Sequence, residues 1–118
     1  MSEVQQIEVA GKTINVDKNG YLVNLGDWSK DVANYLAKKE NINLTDDHWE
    51  VIDFLRKHYS EFNNSPNIVL MVKVFAKNFG EEKGNKDRLY GLFPKGPARQ
   101  GCRIAGLPLP NDCVDWPQ

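Results

Sequence analysis

Between Thr45 and Phe62 the apolar residues Trp49, Ile52, Leu55, Tyr59 and Phe62 recur at spacings of three and four. That spacing puts them on one stripe of an α-helix, and so long a stripe must be buried against other elements. Thr45 suits the cap, and Asp46 and Asp47 suit the positive end of the helix dipole, so a helix is expected over 46–62. Ser29 can cap an earlier helix running to about Glu40, with Val32, Tyr35 and Leu36 on its stripe and Asn41 at its stop. Asn63-Asn64-Ser65-Pro66 is a break, because proline disfavours a helical conformation in the residue before it. A further helix is expected from Asn67 to Phe79, with Ile68, Met71, Val72, Phe75 and Phe79 facing the core and Gly80 ending it. Short helices follow at Asp87–Phe93 and from Pro97, a suitable first helical residue, to Gly106, a suitable left-handed cap.

The two ends of the chain differ from this helical middle. Ile7 and Val9, the turn Ala10-Gly11-Lys12, and Ile14 and Val16 alternate as a small β-hairpin, which Tyr21-Leu22-Val23 can continue. So few strands are not stable alone in water and must lie on the helices. At the other end, Leu107-Pro108-Leu109-Pro110 cannot be helical, because alternate prolines remove backbone donors and hold an extended course. At about 3.1 Å per residue this segment can carry Cys113 about 20 Å beyond the last helix. The fold class is therefore mainly α (α+β): a helical bundle with a small N-terminal β-hairpin and an extended, flexible C-terminal arm. Residues 1–106 are expected to form one domain and residues 107–118 the arm.

With 118 residues one core is feasible and two are not, which excludes large multidomain enzymes. The longest apolar run, Ile68 to Val72, is far short of the roughly 20 residues a membrane span needs, and the charged start is unlike a signal peptide, so the protein is read as cytoplasmic. The net charge of −1 conceals a polarity: Lys73 to Arg103 carries eight basic and three acidic residues. Such a segment can attract RNA, DNA or an acidic protein cleft, although a solvated helix face is the commoner reason for one. Short helices around Asn67 to Phe93 leave a helix-turn-helix with weak nucleic-acid binding as an alternative reading.

Most catalytic signatures are missing. There is no G-x-S-x-G and no G-x-G-x-x-G; Gly96 and Gly101 have P-loop spacing, but Cys102 and Arg103 follow where Lys and Ser or Thr would be needed. His48 and His58 lie ten apart on one expected helix, which turns them roughly 80° away from each other, so no shared metal is expected. His48 reads as a polar residue of the first turn and His58 as a solvated one. The pairs Asp46-Asp47 and Glu81-Glu82 read as helix-end or surface charge.

Chemistry then rests on two cysteines, Cys102 on the last helix and Cys113 on the arm. A permanent disulfide is disfavoured in the cytoplasm, zinc would need two further ligands, and Cys102 can equally be a small core residue. An exposed Cys113 thiol near pKa 8.5 is only about 3% thiolate at neutral pH, and Asp112 disfavours the anion further, so its reactivity calls for a partner that supplies positive charge. Arg99, one helical turn before Cys102, and Arg103, beside it, favour the Cys102 thiolate. Sulfur received as a persulfide at Cys113 can be passed on, or displaced by Cys102 as a resolving thiol with a transient disulfide. A redox switch without sulfur transfer is the plainer alternative.

The sequence blocks Asp17 to Leu22 (D-K-N-G-Y-L), Asp27-Trp28, His48-Trp49, Phe62 to Pro66 (F-N-N-S-P), Gly80 to Asn85 (G-E-E-K-G-N), Leu92 to Ala98 (L-F-P-K-G-P-A) and Ile104 to Pro108 (I-A-G-L-P) resemble those of the DsrC/TusE family of small sulfur-carrier proteins. The resemblance covers nearly the whole chain. It implies a helical bundle with a hairpin and an arm, Cys113 as the sulfur-bearing cysteine, Cys102 as the second cysteine, and a carrier without a cofactor rather than a stand-alone catalyst. Members with both cysteines resemble the partner of dissimilatory sulfite reductase, in which a trisulfide can form between them. Members with only the arm cysteine resemble the relay from a TusBCD-like complex to a tRNA thiouridylase for the wobble uridine. Cys102 favours the first branch. Two departures stand out: Val114 is followed by Asp115-Trp116-Pro117-Gln118 where family members generally end, and Leu109 stands where lysine is common.

Overall fold

The hairpin is built as its alternation predicts. In the computed structural model, which describes residues 4–108, β1 (Val4–Val9) pairs antiparallel with β2 (Lys12–Asp17), Ile7 opposite Ile14 and Val9 opposite Lys12. Ile7, Val9, Ile14 and Val16 share the buried face. Ala10 and Gly11 form the two-residue connection with φ of 51° and 81°, the double left-handed conformation that matches the twist of a hairpin. Tyr21 to Val23 does not become a third strand: only an isolated bridge joins Val16 to Leu22, because the Asp17 carboxylate accepts from the amides of Asn19 and Tyr21 and folds the chain into a turn. A 3₁₀ turn at Leu25–Asp27 leads into the helices.

Five helices follow: α1 (Lys30–Lys39), α2 (Asp46–Phe62), α3 (Ile68–Phe79), α4 (Lys86–Leu92) and α5 (Pro97–Ile104). Their starts are set by side chains that accept from otherwise unpaired amides: Ser29 from Val32, Asn67 from Leu70 and Asn85 from Arg88. The last of these places α4 one residue earlier than expected at each end.

The short helix α5 is the hub. It packs on each of the other four helices, and six of its eight residues are buried. Gly101 permits this, since a Cβ there would stand 3.1 Å from Leu55 Cδ1 of α2. Around it lie Ile52 and Leu55 of α2, Ile68, Met71 and Phe75 of α3, and Leu89 and Phe93 from α4 and its end. Two expected core residues are not in it: Phe62 is 60% exposed and Phe79 43% exposed, each the last residue of its helix.

Both histidines are buried, which corrects the solvated reading of His58. His58 lies against the rings of Phe54 and Phe62, with Nε2 3.3 Å from Asn64 Oδ1, so its burial comes from neighbours on its own helix and just after it. His48 sits in the first turn of α2 as expected, with both ring nitrogens engaged. Nδ1 accepts from the Thr45 amide at 3.1 Å, so Nε2 carries the hydrogen and donates to the Leu92 carbonyl at 2.9 Å. One imidazole thereby caps α2 and fastens it to the end of α4.

Candidate functional site

Cys102 lies on α5 with no exposed surface. Its carbonyl accepts from the Leu107 amide at 2.9 Å, while the Arg103 carbonyl accepts from Gly106. With Gly106 at φ of 73°, this is the paired 6→1 and 5→2 closure of a helix C-terminus, and it fulfils the expected left-handed cap. Glycine is required there twice over, since a Cβ would also overlap the Trp28 side chain.

The remaining carbonyls of that terminus are captured from elsewhere in the fold. The Trp28 indole N–H donates to the Ile104 carbonyl at 2.9 Å, and Arg56 Nη1 donates to the Ala105 carbonyl at 2.7 Å. The Arg56 guanidinium also stacks over the Trp28 ring, 3.9 Å from its centroid. Burial pulls Arg56 below its ordinary pKa, and the Asp53 carboxylate opposes that pull. Leu107 is buried, and the Pro108 carbonyl accepts from the Ser65 hydroxyl at 2.6 Å. Three donors from three places in the chain thus hold the backbone between the last turn of α5 and Pro108.

On another side of α5, Tyr21 reaches in from the hairpin's return and donates its hydroxyl to the Arg99 carbonyl at 3.0 Å. Burial pushes the phenol up to about 12; Arg103 opposes the rise, and Cys102 adds to it, so the hydroxyl remains a donor at any physiological pH. Arg103 lies with its guanidinium 5.1 Å from the Tyr21 ring centroid and bonds Glu40 Oε1 through Nη1 at 2.6 Å. The same carboxylate oxygen accepts from Gln100 Nε2 at 3.2 Å, and Gln100 Oε1 accepts from the Lys95 amide, which accounts for a glutamine buried in a hub helix. The Arg103 cation is therefore engaged by Glu40, the residue that follows α1, and Arg99 is an exposed residue one turn before Cys102.

Cys102, Arg99 and Arg103 all lie on α5, with Cys102 buried, Arg99 exposed and Arg103 turned to Glu40 and Tyr21. Cys113 lies outside the described residues. Sequence reasoning missed Tyr21, Trp28, Glu40, Arg56 and Ser65. Trp28, Tyr21 and Ser65 stand in blocks that carry the family resemblance, a signal that could have found them; Arg56 and Glu40 read only as helix surface charge. Among the described residues no three His, Cys, Asp or Glu side chains converge as a metal site requires, and no helix is long and apolar enough to cross a membrane.

A family model described as DsrC like protein matches residues 8–114, a span that includes both cysteines. The chain belongs to the DsrC family. Sulfurtransferase TusE of Yersinia pestis is 53% identical over 108 residues, covering 92% of this chain and 99% of that protein. The solution structure of DsrC from Allochromatium vinosum superposes with a TM-score of 0.85 at 49% identity, covering 97% of this chain and 100% of that one. The oxidized γ-subunit of dissimilatory sulfite reductase, DsrC, from Archaeoglobus fulgidus gives a TM-score of 0.81 at 37% identity over 93% of this chain and 100% of that one. The helical bundle with its two-stranded hairpin is therefore the DsrC fold, and the chain is a member of the DsrC/TusE sulfur carriers. Relatives named sulfurtransferase TusE and solved chains named DsrC thus both match this chain over nearly its whole length. The family match stops at Val114, so Asp115 to Gln118 follow it.

Proposed function

We propose that the protein is a cytoplasmic sulfur carrier that accepts a sulfane sulfur at Cys113 and hands it to an acceptor protein in a relay for tRNA wobble-uridine 2-thiolation. The observation that carries this reading is the 53% identity, over nearly full length, to a protein named sulfurtransferase TusE. The Cys113 thiolate attacks the outer sulfur of a donor persulfide, forming a new S–S bond as the donor's own S–S bond breaks and its thiolate leaves. An acceptor thiolate then attacks the outer sulfur on Cys113 and releases the Cys113 thiolate. No net electrons are consumed, and the carrier needs neither metal nor cofactor for either step. Its partners are accordingly a TusBCD-like donor complex and a tRNA thiouridylase.

Cys102 is the resolving thiol in this reading. Its attack on the inner sulfur of the Cys113 persulfide expels hydrosulfide and leaves a Cys102–Cys113 disulfide, which two electrons from a thiol reductant reopen. Because Cys102 is wholly buried, that attack requires the end of α5 to open, which favours hand-over to an acceptor over premature loss of sulfur. Arg99, exposed a turn earlier, supports the thiolate once it forms.

Incubation with a persulfide donor tests the proposal by mass spectrometry. A gain of about 32 Da on Cys113, retained in Cys102→Ser and absent from Cys113→Ala, is expected. Unmodified Cys113 under conditions that load a known acceptor overturns it.

A second reading, partnership with dissimilatory sulfite reductase, is supported by Cys102 and by the likeness to solved DsrC chains. It predicts a complex with the reductase and a trisulfide between the cysteines. Nucleic-acid binding has less to support it, since Lys83, Arg88 and Arg103 of the basic segment pair with Glu50, Asp47 and Glu40. It would show as affinity that falls steeply with salt and survives loss of both cysteines.

A further inference from the structure

We infer that the groove between the end of α2 and the outer face of α3 is a docking site for an acidic amphipathic helix of the protein that accepts the sulfur. The inference rests on the carrier reading, which makes such an acceptor necessary.

α3 is apolar on two sides. Nine of its twelve residues, Ile68 to Phe79, are apolar, yet only Ile68, Met71 and Phe75 are buried. A helix apolar all round ordinarily lies wholly inside a protein, and an apolar face left in solvent marks a place where something docks. Here Leu70 and Val74, one turn apart, form one wall of a groove of about 450 Å³. The other wall is the exposed Phe62 with His58, Glu61 and Asn64. Val69, half exposed, extends the apolar surface along α3.

Charge names the occupant. Lys73 and Lys77 follow Leu70 at three and seven positions, which puts them on the same stripe of α3 as the groove wall. Both are exposed, and neither forms an ion pair among the described residues, whereas Lys83, Arg88 and Arg103 all do. Glu61 is the one acid among the lining residues. Four residues of helix span about 6 Å, so two carboxylates one turn apart on a partner helix laid along α3 meet both lysines while its apolar stripe fills the groove. A nucleic acid would meet the lysines but not the apolar wall.

The groove also lies where an acceptor is needed. Asn64 lines it, and the next residue, Ser65, donates to the Pro108 carbonyl, so a protein seated there stands beside the root of the segment that leads to Cys113. A sulfane sulfur is open to any thiolate, and docking on the body favours one acceptor by raising its effective concentration.

Sulfur transfer from the persulfidated full-length protein to a tRNA thiouridylase tests this, with transfer to glutathione as the control. In each, the attacking thiolate takes the outer sulfur and the Cys113 thiolate leaves. Lys73→Glu combined with Lys77→Glu is expected to raise the KM of the thiouridylase for the carrier about tenfold and to leave kcat unchanged. Phe62→Ala, which removes the aromatic wall, is expected to raise KM about tenfold as well. The rate to glutathione stays at the parent's value in both. Each change is at an exposed residue and is expected to leave the circular dichroism of the fold intact. Lys30→Glu combined with Lys38→Glu, an equal change of net charge on exposed residues of α1, is expected to keep the parent's KM, which separates docking from long-range attraction. An unchanged KM in the Lys73→Glu, Lys77→Glu variant overturns the inference, as does an equal rise in the α1 variant. Failure of Cys113 to load, or of the loaded parent to transfer, overturns the carrier reading and the docking site with it.

Discussion

The Tyr21 hydroxyl donates to the Arg99 carbonyl at 3.0 Å, joining the turn after the hairpin to the hub helix across 78 positions of chain. That bond makes the two-stranded sheet part of the bundle rather than an appendage, and it places a phenol beside Arg103 and near Cys102.

Its titration is therefore coupled to stability. The folded state holds the phenol at about 12 and the unfolded chain near 10, so between those values the unfolded state has released a proton that the folded state keeps. Stability from this group is fully present below about pH 10 and is lost as pH rises toward 12. Tyr21→Phe should flatten that alkaline loss in urea titrations taken across pH 9 to 12, and one tyrosine of the wild type should ionise late by ultraviolet absorbance.

His48→Ala should destabilise the fold by about 2–3 kcal/mol. It removes a buried imidazole and strands the part-buried Leu92 carbonyl and the Thr45 amide, and such a loss carries part of the desolvation penalty of the groups left behind. Urea midpoints measure it. Unchanged stability would show that the bridge between α2 and α4 contributes little.

Glu40 serves two donors on α5, Arg103 and Gln100, from a largely buried position. Removing one partner of such a pair leaves the other charge uncompensated, at a cost of about 3 kcal/mol. Glu40→Ala should cost that much, whereas the exposed neighbour Lys38→Ala should fall within about 0.5 kcal/mol of wild type in the same denaturation assay.

Two glycines should respond with opposite sign. A Cβ at Gly84 would overlap the backbone of Ala76 in α3, so Gly84→Ala is expected to cost about 1–3 kcal/mol or more as α3 is forced aside. Gly91, exposed in α4 with open space around it, should gain about 0.5–1 kcal/mol on Gly91→Ala from helix propensity alone. Thermal midpoints of the two single variants check both.

The elements themselves were written in local chemistry. The period of Ile52 and Leu55, the caps Ser29 and Asn67, the turn Ala10-Gly11 and the stop at Gly106 each act within a few residues, so the sequence by itself determined five helices, a hairpin and their order. The blocks that marked the family were also visible, but not what they do. Asp27-Trp28, F-N-N-S-P and I-A-G-L-P meet around the end of α5, and His48-Trp49 meets L-F-P through one imidazole. Periodicity carries no information about such meetings, because a hydrogen bond across 76 positions leaves no mark on either side's spacing. For the same reason Phe62, in register with its stripe, lies exposed, and His58, polar in sequence, is buried. That an eight-residue helix of mixed composition became the hub, with Cys102 sealed inside it, only the tertiary structure decided: short helices draw their burial from neighbours, and which neighbours arrive is settled by packing.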